Sequence, residues 1–100
     1  MFSYEISKGV LKIKIKGELD HSSAAPLKGR LDDIIRLGGY DMIVFDFSEL
    51  QFMDSTGIGL LLGRYKTAKS ISKPIAILKP APPVDKVLKV SGIYSIMPKI

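Results

Sequence analysis

An α/β domain built on a mixed sheet is the fold class this sequence predicts, and three observations predict it. Near the N-terminus two runs alternate with period two: Phe2, Tyr4 and Ile6 against Ser3, Glu5 and Ser7, then Leu11, Ile13 and Ile15 against Lys12, Lys14 and Lys16. Met42–Phe45 is an unbroken apolar run. Between and after these runs, apolar residues recur at helical spacing, so strands and helices take turns along the chain.

The alternating runs are strands with one buried face, and Lys8-Gly9 is the turn between them. The lysine row reads as the wet side of the second strand. Gly17–Ser23 (GELDHSS) ends that strand and supplies helix caps, with Ser22 or Ser23 as N-cap and Pro26 in the first turn, where its missing N–H costs nothing. Leu27, Leu31, Ile34 and Ile35 form the inner stripe of the first helix, which stops at Gly38-Gly39. Without polar alternation, Met42–Phe45 is expected to be a central strand covered by helices on both faces. A second helix carries Ile58, Leu61, Leu62, Tyr65 and Ala68 on one stripe; Pro74–Leu78 is a strand; Pro83 opens a third helix with Val84, Val87 and Leu88, ended by Gly92. Ile93–Met97 is a last weak strand or extended tail. The expected order is β-β-α-β-α-β-α-β in a single domain over residues 1–100, a size that buries a core of its own.

Composition narrows the chemistry. With no cysteine there are no disulfides, thiolate metal sites or thiol nucleophiles. His21 is the only histidine, so a two-histidine metal site is impossible, and no Walker A or dinucleotide glycine pattern occurs. The net charge of +5 raises nucleic-acid binding, but the basic residues are scattered and no aromatic side chains are interleaved to stack on bases. The longest apolar run, near Ile58–Leu62, is too short to span a bilayer, and the basic-then-apolar order of a signal peptide is missing at the N-terminus. The default is a cytoplasmic protein that binds neither nucleic acid nor membrane.

One stretch carries more than its structural duty. Phe52–Lys66 reads FMDSTGIGLLLGRYK. Asp54, Ser55 and Thr56 are each able to cap a helix, yet one cap suffices, and Gly57 follows them with poor helix propensity. A glycine in a first turn admits close approach to the backbone, and a helix N-terminus favours an anion. Two readings stand side by side: plain capping, and a hydroxyl at Ser55 that is switched by phosphorylation. Helical phase places Leu60 with Thr56, Gly63 and Thr67 outside the Ile58/Leu61/Tyr65 stripe, and so on a face open to a partner. A hydrolase reading joins Asp20, His21 and Ser55 as a triad, but Ser55 is not in a G-x-S-x-G elbow.

FMDSTGIGLLLGRYK resembles the phosphorylation-site segment of STAS-domain anti-sigma-factor antagonists, and GELDHSSAAPLK resembles the segment that opens their first helix. The resemblance extends over nearly the whole chain, and the D-S-[ST]-G-[IL]-G pattern with the trailing LGRYK is most like the anti-sigma F type of spore-forming bacteria. It implies the STAS fold, with a mixed central sheet, an N-terminal β-hairpin and flanking helices. It also implies a non-enzymatic regulator that binds an anti-sigma factor and frees the sigma factor. The partner is itself a serine kinase with bound nucleotide; it phosphorylates the antagonist, and a serine phosphatase reverses the mark. Matched residue by residue, the phosphoacceptor is Ser55, with Asp20, Asp54, Thr56 and Gly57 in the loop around it. The antagonist holds no cofactor of its own, because the ATP belongs to the kinase. Within the same family the alternative is a STAS subunit of another phosphorelay or stress-signalling complex. Two features depart from the pattern: such antagonists are acidic to neutral, whereas the sequence pI here is about 9.5, and they commonly continue into a C-terminal helix beyond the position of Ile100.

Overall fold

The computed structural model describes all 100 residues, Met1–Ile100. Strands β1 (Phe2–Ser7) and β2 (Val10–Ile15) pair as an antiparallel hairpin in the register Phe2↔Ile15 to Ser7↔Val10. Lys8 and Gly9 make the turn with φ of 52° and 79°. Two successive left-handed residues are what a two-residue hairpin turn with the right twist requires. Next to β2 lies β4 (Met42–Asp46), and next to β4 lies β6 (Ile75–Leu78), both contacts parallel, which gives the order β1-β2-β4-β6.

A second, two-stranded parallel sheet stands apart, formed by β3 (Gly17–Leu19) and β5 (Leu50–Met53). Neither strand is evident in the sequence. β3 is only three residues long, and β5 exposes both Gln51 and Phe52 in mid-strand, so it lacks alternation.

The helices are α1 (His21–Ala24), α2 (Lys28–Ile35), α3 (Ser55–Ser70) and α4 (Pro82–Ser91). A 3₁₀ turn over Ala25–Leu27 separates α1 from α2, and Pro26 sits at its start. The expected first helix is therefore broken at Pro26, which lies five residues beyond the true helix start at His21 and cannot donate into an α-helical ladder. Pro82 and Pro83 open α4, and Gly92 closes it in the left-handed conformation at φ 79°.

Core packing follows residue parity in the sheet. In register, Leu11, Ile43 and Ile75 form one row and Ile13, Phe45 and Ile77 the next. These join Leu31, Ile34 and Ile35 of α2, Leu60, Leu61 and Ala68 of α3, and Val84 and Leu88 of α4 in one hydrophobic cluster. Val44 and Ala76 are buried too, but they stand outside that cluster, on the face that carries Lys12 and Lys14. The expectation of helices on both faces of Met42–Phe45 is thus corrected: its second face is a charged ridge. Lys12 and Lys14 lie 3.7 and 4.0 Å from Asp46, and Lys14 and Lys16 lie 2.9 and 3.9 Å from Glu49. Lysine stems cover apolar surface while their heads stay wet, so this face needs no helix.

The last expected strand is also corrected. Ile93–Ser95 is a 3₁₀ turn, and the tail then makes a single parallel bridge, Ile77↔Lys99. Ile77 donates to Pro98 and Ile100 donates to Ile77, both at 2.9 Å. No helix is long and apolar enough to cross a membrane.

Candidate functional site

Two strand-to-helix junctions lie side by side because β3 and β5 are parallel neighbours, with Leu19 opposite Met53. Each strand runs directly into an aspartate that caps a helix: Asp20 before α1 and Asp54 before α3. The Asp54 N–H donates to the Leu19 carbonyl at 3.4 Å and ties the junctions together.

At the first junction Asp20 is the N-cap, not Ser22 or Ser23. Its Oδ1 accepts from the N–H groups of Ser22 and Ser23, both at 3.0 Å, while Ser23 Oγ accepts the Asp20 N–H at 2.9 Å. This reciprocal box forms because β3 ends at Leu19, so the chain turns into the helix one residue later. The bonds from Ser23 and then Ser22 hold the Asp20 carboxyl below the usual carboxylate range. That carboxylate has no bond to His21 or Ser55, so the triad geometry of a hydrolase is absent.

At the second junction Asp54 Oδ1 accepts from Thr56 N–H at 2.9 Å and Gly57 N–H at 3.4 Å. Capping is therefore the work of Asp54, and Ser55, the first residue of α3, is exposed with no side-chain hydrogen bond of its own. Thr56 is half-buried, one residue deeper. Gly57 is buried for a steric reason: a Cβ there would lie 2.9 Å from the Leu19 carbonyl oxygen and 2.7 Å from Met53 Cγ. The close approach implied by glycine in the first turn is thus an approach by the protein's own β3 strand. Asp20, Asp54, Ser55, Thr56 and Gly57 are all brought to one place by the β3–β5 pairing.

The expected partner face is not brought there. Leu60 is 1% exposed and belongs to the core cluster. Thr67 is buried and donates through Oγ1 to Asp32 Oδ1 of α2 at 2.9 Å. Gly63 is half-buried on the same flank, and its carbonyl lies 3.3 Å from Thr67 Oγ1. The reason is that α3 is covered on two flanks, by the sheet and by α2, so its buried arc is wider than one stripe. Arg64, 7% exposed, occupies the seam with Nε 2.7 Å from Asp32 Oδ1. The misaligned contact is an ion pair without a hydrogen bond, and Nη1 has no partner.

The exposed face of α3 is instead Ser55, Gly59, Leu62, Lys66 and Lys69, a row at alternating spacings of four and three. Leu62 is 40% exposed. The expected placement of Leu62 on the inner stripe with Ile58, Leu61, Tyr65 and Ala68 is corrected: one step past Leu61 on the helix, it turns to the outer row. The signal of that row in the sequence is the polarity of Ser55, Lys66 and Lys69.

The comparisons with known proteins agree with this architecture. Residues 1–100 match the family model described as STAS domain. The anti-sigma F factor antagonist of Paenibacillus polymyxa is 38% identical over 94 residues, which cover 94% of this chain and 80% of that protein. Among solved structures, the anti-sigma factor antagonist SpoIIAA in its unphosphorylated form superposes with a TM-score of 0.83 at 32% identity, covering 100% of this chain and 88% of the other. The Bacillus cell fate determinant SpoIIAA in its phosphorylated form gives a TM-score of 0.73 at 31% identity, covering 100% and 91%. The expected STAS fold is the observed one, and the chain belongs to the STAS domain family.

Proposed function

We propose that this chain is a cytoplasmic anti-sigma factor antagonist, active as a binding partner when Ser55 is unmodified and released when Ser55 is phosphorylated. The observation that carries the reading is the position of Ser55: it starts α3 exposed and unbonded, with capping delegated to Asp54. Similarity to relatives named as anti-sigma F factor antagonists, and to a structure of SpoIIAA in phosphorylated form, supports it. The anti-sigma factor acts as the kinase and brings the nucleotide. Transfer forms the Oγ–P bond, breaks the bond from the γ-phosphorus to the bridging oxygen, and releases ADP and the serine proton. A phosphatase restores the hydroxyl by hydrolysis. The antagonist itself performs no catalysis and needs no cofactor.

The docking face is the row led by Ser55, Gly59 and Leu62, with half-buried Thr56 at its edge. A phosphate adds about −1.5 to −2 charges to that row. The site is held by the β3–β5 ladder and by Gly57 packed against Leu19. The switch is therefore a local block by charge and bulk. Direct binding to nucleic acid is not part of the reading, because the lysine ridge of β2 is already paired with Asp46 and Glu49.

Treating the protein with its cognate anti-sigma kinase and ATP, followed by tandem mass spectrometry, tests the assignment. Phosphate on Ser55 is the expected result; phosphate on Thr56 overturns it. In binding assays Ser55→Asp loses at least about tenfold in affinity, about 1.4 kcal/mol, whereas Ser55→Ala binds and is not released by ATP.

A further inference from the structure

The N-terminal turn of α3 faces α4 across an open groove of ≈400 Å³, lined by Ser55, Ile58, Lys86, Val87, Val90 and Ser91. The lining is largely apolar, and Val90 is 82% exposed. Lys86 brings the only charge. Its neighbour Lys89 is held by Asp85 at 3.2 Å, and Lys99 by the same carboxylate at 3.1 Å, whereas Lys86 is exposed and in no ion pair. Ser91 is already engaged, donating to the Leu88 carbonyl at 2.7 Å and accepting from the Ile93 N–H at 3.2 Å. Apart from Ser55 itself, the Lys86 ammonium is the one uncommitted donor group on the groove wall.

We infer that Lys86 receives the phosphate of Ser55, drawing it into the groove over Ile58 and Val87 as an intramolecular ion pair. The inference rests on Ser55 being the phosphoacceptor. The charges around that serine are unevenly placed: Asp54 precedes it, Asp20 caps the adjoining junction, and Lys86 stands across the groove. Two carboxylates repel the phosphate from the cap side, and one ammonium attracts it from the other. An anion resting on apolar surface is costly unless paired, and here the pair is at hand. Phosphorylation then acts twice, by adding charge to the α3 row and by filling an apolar recess that is open in the unmodified protein. Lys86 is a positioning residue for the mark, with no part in its transfer.

The test uses the full chain with phosphoserine inserted at position 55 during translation by codon reassignment, so that no kinase is required. Phosphorus NMR follows the second ionisation of the phosphate. Its pKa should be about 0.5 unit lower in the parent than in Lys86→Gln, an opposite-charge effect at an exposed site. Lys86→Arg should keep the low value, and salt near 1 M should shrink the difference. Amide signals of Lys86–Ser91 should move on phosphorylation in the parent and in Lys86→Arg, but not in Lys86→Gln. Equal phosphate pKa values in the parent and Lys86→Gln, or unmoved α4 amides in the parent, overturn the pairing. Neither result touches the choice of Ser55, which the kinase experiment decides by itself.

Discussion

Gly57 shows how one missing methyl group shapes the site. Most glycines in a helix cost stability, about 1 kcal/mol relative to alanine. Here an alanine would push its Cβ to 2.9 Å from the Leu19 carbonyl oxygen, a backbone atom fixed by the β3–β5 ladder. Overpacking of that kind costs about 1–3 kcal/mol, which outweighs or cancels the gain in helix propensity. Gly57→Ala is expected to lower the urea midpoint and to shift the amide signals of Leu19 and Asp54. A raised midpoint would show that β3 yields freely. The sequence disclosed that something approaches this glycine, since poor helix formers in a first turn need a reason. It could not disclose what, because Leu19 lies 38 positions earlier and the short β3 strand carries no periodic signal.

At the scale of the element, α3 separates what periodicity reveals from what it hides. The existence of the helix, its start among the cap candidates Asp54, Ser55 and Thr56, and the inward direction of Leu61 and Ala68 were legible. The width of its buried arc was not, because that depends on α2 docking along the Leu60–Thr67 flank. The Asp32–Arg64 pair in that seam joins residues from two helices, each of which reads as an ordinary surface charge in isolation. The distinction has a direct test. Leu60→Ala should destabilise the fold by about 2–5 kcal/mol, as a buried leucine truncation does. Leu62→Ala should change stability by no more than about 0.5 kcal/mol while weakening binding to the anti-sigma factor. Urea titration of both variants, with binding measured on each, separates the core leucine from the docking leucine. The opposite pattern would restore Leu60 to the surface.

Across the whole molecule, the tail is tied to the sheet by its backbone bridge at Ile77 and to α4 by one carboxylate. Asp85 of α4 accepts from the Tyr94 hydroxyl and pairs with Lys99 and Lys89, and the Lys99 segment bridges β6. The bond from Tyr94, then that from Lys99, lowers the Asp85 carboxyl to about 2. Burial, with Asp85 adding to it, pushes the Tyr94 hydroxyl up. For a group whose folded pKa is depressed, the stabilisation is present above the unfolded value near 4 and is lost as pH falls through the folded value. The tail should therefore loosen between about pH 4 and pH 2, seen as movement of the Tyr94 and Lys99 NMR signals. Asp85→Asn should abolish that transition; a pH-independent tail in the parent protein would refute the clamp. Unmodified Ser55 stands apart from all such couplings: its hydroxyl supports nothing, and Asp54 caps the helix in its place. The serine can therefore be marked or cleared without breaking any side-chain bond that the fold relies on. Writing and erasing the message leaves the page intact.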